Sequence, residues 1–237
     1  MVCCMKRSEI NSEIEAAITL FDKNGIILPP FAFMTPDEWL EKGEEVAEII
    51  ENGLGWDVTD FGLGDFDRTG LLLFTLRNGN AKQKERYRKT YAEKIMVIKE
   101  GQIAPMHFHW QKQEDIINRG GGNLVLELNR STPEGGLSDT AFSVSVDGCR
   151  RKCRAGGKVV LGPGESIFLE PEIYHCFYSE KGSGAVVVGE VSQVNDDVHD
   201  NRFLDPLGRF PQIDEDEKPL HFLCTDYTKW IHLFSQE

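Results

Sequence analysis

From Gly70 onward the chain is a succession of short apolar runs: GLLLFTL, EKIMVI, NLVLELN, AFSVSV, KVVLG, ESIFLE and AVVVGEV, divided by Gly, Pro, Asn and Asp. Val, Ile and Phe pack well on a pleated surface, and the turn residues between the runs stop each one after a few positions. Many short strands at close intervals specify an antiparallel sandwich or barrel, a mainly β fold. There is no internal repeat and no low-complexity linker to divide it. A length of 237 residues suits one large domain, or one domain with substantial helical extensions.

The first third of the chain has a different texture. Within 6–22, Ile10, Ile14, Ala17, Ile18 and Phe21 recur at helical spacing and predict an amphipathic helix. The stretch GIILPPFAF then runs extended, because consecutive prolines disfavour helix. Thr35-Pro36-Asp37-Glu38 is a capping box with proline at the first helical position, and it opens a second helix through about Ile50. The expected organisation is an N-terminal helical arm over 1–69 packed on a barrel over 70–237, one structural domain overall. Near the end, the acidic run IDEDEK at 213–218 is expected to be a solvated loop. The stretch HFLCTDYTKWIHLF returns as an apolar strand or helix against the barrel.

Charge excludes whole classes of partner. With 39 acidic against 26 basic residues the formal charge is −13, and no Lys/Arg stripe offers a surface for nucleic acid. Docking on an anionic membrane is disfavoured for the same reason, whereas a neutral sugar is not. The N-terminal MVCCMKRSEI lacks the apolar core of a signal peptide, and no apolar run approaches the ~18 residues of a membrane span. The six cysteines include no CxxC and are expected to be reduced thiols in the cytoplasm.

The chemistry-bearing segment runs from Gly101 through His107-Phe-His109 to Glu114 and Gly120–Gly122. Side chains at i and i+2 of a strand share a face, so His107 and His109 can both look into a barrel and share one ion. Glu114 can return across a bend as an oxygen ligand, and the glycines permit a tight reversal into NLVLELN. A fourth ligand must come from a distant strand. His175 is placed for this, with Pro171 ending one strand and His175 beginning the next. Three imidazoles and a carboxylate suit Mn²⁺, Fe²⁺, Zn²⁺, Co²⁺ or Ni²⁺. An HxH pair alone is more often two ordinary histidines; the glutamate, the bracketing glycines and the later strand–Pro–turn–His element favour a metal site. His199, His221 and His232 lack such a setting and read as structural or surface residues. No strand–GxGxxG–helix or Walker pattern surrounds the Gly120–Gly122 run, so it is not a phosphate loop.

Gly101, His107, His109, Glu114 and Gly121 match G(X)5HXH(X)4E(X)6G, the first motif of the cupin family, at every position. The second cupin motif is matched loosely, with Tyr178 near the usual Asn position. The segments PPFAFMTPDEW, GWDVTDFGLGDF, GLLLFTLRNGN, YAEKIMVIKEGQIAPMHFHW, KQEDIINRGGGNLV and GEVSQVNDDVHDNRF resemble the D-lyxose isomerases of the cupin superfamily. That resemblance implies a jelly-roll-type cupin barrel and one divalent metal per subunit, preferably Mn²⁺. It further implies a homodimer that interconverts D-lyxose and D-xylulose, and more slowly D-mannose and D-fructose.

Aldose–ketose exchange through a cis-enediol needs a base at C2, stabilisation of the developing oxyanion and return of the proton to C1. A metal on three His and one Glu can hold O1 and O2 together and polarise the carbonyl. Glu190 is the best unliganded carboxylate, alternating with Val186 and Val188 on a strand; it also fits a cap at the barrel rim. Lys94 alternates with Met96 and Ile98, so its ammonium either reaches a substrate oxygen or escapes to solvent at a strand edge. Lys112, between His109 and Glu114, is a second cation near the metal. Asp197 and Asn201 are candidates for sugar hydroxyls, on a loop that could equally be a capped turn. The same ligand set would serve an Fe(II)-dependent cupin dioxygenase, or a non-enzymatic sugar-binding cupin that lacks the acid–base pair.

Overall fold

The computed structural model describes residues 4–196 and 199–229. In chain order it begins with β1 (Met5–Lys6), α1 (Arg7–Lys23), α2 (Pro36–Leu40), α3 (Ala47–Glu51), β2 (Gly55–Thr59) and β3 (Leu71–Arg77). Next come β4 (Tyr91–Ile98), β5 (Ile103–His109), β6 (Glu114–Gly121), β7 (Leu124–Arg130), β8 (Phe142–Val146) and β9 (Cys149–Cys153). The rest are β10 (Gly157–Leu161), β11 (Ser166–Leu169), β12 (Ile173–Ser179), β13 (Val186–Gln193), β14 (Asn201–Phe203) and β15 (Ile213–Asp214). Two antiparallel sheets carry the fold. One has eight strands in the order β2-β3-β4-β13-β6-β11-β8-β9, and the other five, β10-β7-β12-β5-β14.

The main core lies between these sheets. Leu73, Met96, Ile98, Ile116, Val186 and Val188 of the large sheet pack with Ala104, Leu124, Leu126, Leu128 and Phe177 of the small one. A second core covers the outer face of β2, β3, β4 and β13, where Ile10, Ile14, Ala17 and Phe21 of α1 meet Trp56, Val58, Phe74, Ile95, Val97 and Val187. Strands β3, β4 and β13 are thus buried on both faces, which is why they read as unbroken apolar runs. The stripe on α1 is the face that covers them.

Four expectations change. The stretch GIILPPFAF is not extended throughout: Pro30–Phe33 forms a 3-10 turn, with proline at its first position and the Ala32 N–H donating to the Pro29 carbonyl at 2.9 Å. Residues 55–59, placed by sequence pattern in the helical arm, form β2 and pair with β3. Trp56 and Val58 alternate toward α1 while Asp57 and Thr59 take the other face, the period of a strand. The second helix does not run through to Ile50. It ends at Leu40 and restarts as a 3-10 turn (Glu44–Val46) and α3, interrupted at Gly43, whose N–H donates to Glu45 Oε2 at 3.1 Å. Glycine is a poor helix interior residue, and the side-chain cap stabilises the break. Nor is the acidic run at 213–218 merely solvated. Ile213–Asp214 pairs in parallel with β1, Glu215 holds Arg7, Asp216 accepts from the Ser8 N–H, and Glu217 accepts from Asn11. Carboxylates at the start of α1 satisfy helix N–H groups and its positive end.

Leu223 bridges to Trp56, bringing the final stretch onto the edge of β2. His221 is buried, with Nδ1 donating to the Met34 carbonyl at 3.0 Å, and His199 is an exposed partner of Asp196. His232 lies outside the described residues. Cys149, Cys153 and Cys176 are free thiols. Among the described residues no helix is long and apolar enough to cross a membrane.

Candidate active site

Strand β5 sends His107 and His109 to one face, into the space between the sheets. Across the small sheet, His175 on β12 stands opposite His107 in register. The rings of these three histidines present nitrogens within 4.8 Å of one another. His107 Nδ1 donates to the Pro105 carbonyl at 2.7 Å, and His175 Nδ1 donates to the Ile173 carbonyl at 3.0 Å. Each backbone bond fixes the proton on Nδ1 and leaves a lone pair on Nε2, the tautomer a metal ligand requires.

After His109 the chain must cross to the other sheet. Asp200 secures the crossing by accepting from the backbone N–H groups of Gln111 and Lys112, at 2.8 and 3.0 Å. Glu114 then opens β6 and points back, its Oε1 3.1 Å from His175 Nε2 and 3.5 Å from His109 Nε2. Burial, reinforced by the neighbouring rings of His175 and His109, pushes His107 well below the ordinary histidine range. Burial and then Lys112 also lower His109 from the ordinary histidine value. Burial alone would raise Glu114, but Lys112 and the histidines overcome it and hold the carboxyl well below its usual range. His107 and His109 are thereby kept neutral beside an ionised carboxylate. Glu114 Oε1 has no hydrogen-bond partner among the described residues. Converging buried acceptors are costly unless a cation sits among them. The donor set, three imidazole nitrogens and one carboxylate oxygen, fits a divalent metal.

Behind this cluster runs a chain of alternating buried charges. Lys112 Nζ lies 2.8 Å from Glu114 Oε2 and 2.8 Å from Glu190 Oε1. Glu190 Oε2 lies 3.5 Å from Lys94 Nζ, its cross-strand neighbour on β4. Lys94 donates to Asn195 Oδ1 at 2.6 Å, and Ser192 Oγ donates to Glu190 Oε1 at 2.9 Å. Glu190 and Lys94 are 5% and 4% exposed, so neither the rim cap nor the solvent-reaching edge lysine describes them. For Glu190 too, burial acts upward, but Lys112 and Lys94 prevail and the carboxyl stays below its usual range, ionised at neutral pH.

A model of the D-lyxose isomerase family matches residues 5–227. The chain belongs to the D-lyxose isomerase family. It is 52% identical to the D-lyxose/D-mannose isomerase of Serratia proteamaculans over 228 residues, 96% of this chain and 100% of that one. It is 50% identical to the D-lyxose/D-mannose isomerase of Escherichia coli O157:H7 over 227 residues, 95% of this chain and 100% of that one. Among solved structures, the L-ribose isomerase of Acinetobacter sp. DL28 in complex with L-ribose superposes with a TM-score of 0.62 at 15% identity, covering 90% of this chain and 99% of that one. The ligand-free L-ribose isomerase of Cellulomonas parahominis gives 0.59 at 16% identity, covering 90% and 100%. Those two share the fold.

In this member of the D-lyxose isomerase family the charged site opens into a cavity whose mouth the sequence pattern did not reveal. Thr59, Phe61, Phe203 and Arg209 line it beside Lys94, Lys112, Glu190 and the histidines. Phe203 pairs with His107 across β14 and β5, their rings 5.6 Å apart, and meets Phe61 edge-on at 5.7 Å. Arg209 Nη2 lies 2.5 Å from Asp57 Oδ2, and Thr59 Oγ1 donates to the Arg209 carbonyl at 2.5 Å. None of these residues carries a local motif, and each reaches the mouth through a loop or a short strand. Asn201 pairs with His109 and lines the same cavity, its Oδ1 buried without a hydrogen-bond partner among the described residues. Asp197 lies outside the described residues.

Proposed function

We propose that this protein is a metal-dependent aldose–ketose isomerase that interconverts D-lyxose and D-xylulose, with D-mannose and D-fructose as a second pair. The observation that carries it is the buried chain Glu114–Lys112–Glu190–Lys94 leading out of a three-histidine cluster. A metal-binding module that only held a sugar would have no use for four buried charges, which are costly to desolvate and cluster at sites of proton transfer. Membership of the D-lyxose isomerase family supplies the substrate class.

His107, His109, Glu114 and His175 are the proposed metal ligands, and a divalent ion there would act as a Lewis acid on the sugar carbonyl. Glu190, ionised and unliganded, is the proposed base that takes the C2 proton and returns it to C1. Lys112, whose ammonium touches both carboxylates, is the proposed donor to the oxygen on which charge develops. Lys94 fixes the second oxygen of Glu190 and is in turn oriented by Asn195. Asn201 and Asp197 are proposed for the remaining hydroxyls. Mn²⁺ is the proposed metal, a homodimer the proposed assembly and the cytoplasm the proposed location.

The test is to incubate metal-stripped and Mn²⁺-reloaded protein with D-lyxose under anaerobic conditions and assay ketose. Ketose formation restored by Mn²⁺ without oxygen is expected. Absence of D-xylulose in both samples would sink the isomerase proposal. Activity that demands oxygen and iron would point to the dioxygenase.

A further inference from the structure

Phe61 is a buried phenylalanine with φ 55, in the left-handed region that side chains with a Cβ rarely adopt. The surrounding structure imposes this conformation from several directions. The Phe61 N–H donates to Thr59 Oγ1 at 2.9 Å, and the Phe61 carbonyl accepts from the Gly208 N–H at 3.1 Å. The next turn is tied to Asp60, whose carboxylate accepts from the N–H groups of Gly62 and Gly64 at 2.8 and 2.9 Å. Strained backbone so thoroughly held tends to mark a functional site. Here its effect is to keep the Phe61 ring against Phe203, at the mouth of the cavity.

The position of that ring matters because of how a sugar can lie. The floor of the cavity is apolar: Leu73, Met96, Ala104, Ile116 and Phe177 all belong to the core between the sheets. A chain of hydroxyls would lose its hydration there without recovering hydrogen bonds. The polar direction is the mouth, toward Thr59, Asn201 and Arg209. A sugar held by its first two oxygens at the histidine cluster would therefore direct its remote carbons along Phe203 toward Phe61. D-mannose is D-lyxose extended by one hydroxymethyl group at that remote end.

We propose that Phe61, with Phe203 behind it, is the wall that reads the remote end of the substrate and sets the preference between five- and six-carbon aldoses. The proposal rests on the isomerase function proposed above. Both rings offer an apolar face to sugar C–H groups, and their fixed position limits the room for an added hydroxymethyl. Discrimination of one such carbon by pocket shape is worth about 10–200-fold in kcat/KM.

The experiment compares Mn²⁺-loaded wild type, Phe61→Ala and Phe203→Leu on D-lyxose and D-mannose, with unfolding temperatures measured alongside. Phe203→Leu is included because it lowers the wall and leaves the Phe61 backbone and its hydrogen bonds unaltered in sequence. The expected result is a rise of about tenfold or more in the ratio of kcat/KM for D-mannose to that for D-lyxose, carried mainly by KM. Should Phe61→Ala not fold, the Phe203→Leu ratio decides alone. A ratio within twofold of wild type in the folded variants, or equal losses of kcat on both sugars, would overturn the proposal. Wild type inactive on both sugars would instead remove the isomerase function on which it rests.

Discussion

Lys112 offers the sharpest test of the site, because replacing it should damage stability and chemistry together. Its ammonium, 2% exposed, sits 2.8 Å from Glu114 and 2.8 Å from Glu190. Lys112→Met keeps most of the volume and removes the charge, leaving two buried carboxylates to face each other. Breaking a buried ion pair by deleting one partner costs about 3–5 kcal/mol. Glu190 keeps Ser192 and the more distant Lys94, so the lower part of that range is expected. For a chain of this size each kcal/mol moves the unfolding midpoint by about 2–4 °C. The metal-free variant should therefore melt roughly 6–12 °C below wild type. A metal at the proposed ligands would give Glu114 a cation in place of Lys112, so the deficit should shrink in the Mn²⁺ form. The pH dependence has a definite sign. Lys112 holds both carboxyls below their unfolded values, so its stabilisation is complete above the ordinary glutamate range. It is lost as pH falls through the lower folded values. Differential scanning calorimetry at neutral and acidic pH, with and without metal, measures all of this. A metal-free variant that melts within 2 °C of wild type at neutral pH would refute the bridging role of Lys112.

Two other perturbations separate catalysis from architecture. Glu190→Gln preserves shape and removes the proposed base; turnover should fall about 10²–10⁴-fold while elemental analysis still finds one metal per chain, and wild-type turnover would exclude Glu190 from proton transfer. Arg7→Met should destabilise the fold by about 3–5 kcal/mol without changing kcat of the folded fraction. Arg7 is buried and donates to both Glu215 and Asp226, tying α1 to the end of the described chain. Its hydrogen bonds hold Glu215 below the usual carboxylate range, so in urea titrations the gap to wild type should be full at pH 7 and narrow as pH falls below about 4.

Local pattern and tertiary context divided the information unevenly. The pleat period of two is a property of any strand, so HxH on a short apolar run was enough to put His107 and His109 on one face. The alternation of Glu190 with Val186 and Val188, and of Lys94 with Met96 and Ile98, likewise foretold that two charged side chains point into an apolar core. The stripe on α1 was legible because a helix repeats its buried face every turn. His175 was legible from Pro171 and the turn before it, but its place opposite His107 was not, because strand register depends on pairing across the sheet.

What the metal motif left open was decided by residues far apart in sequence. Lys112 and Glu190 are 78 positions apart, yet they meet because β6 and β13 are neighbours in the large sheet. The acidic run at 213–218 looks solvated when read alone, and becomes a set of partners for α1 only when β15 lies beside β1. Residues 55–59 sit among helical segments but pair with β3 once Trp56 has a hydrophobic face to cover. The mouth of the cavity, with Phe61, Phe203 and Arg209, has no periodic signal because loops place it. The face that carries His107 and His109 was therefore written in the sequence through local geometry. The charge chain behind it and the wall in front of it were set by which strands and loops came to lie side by side.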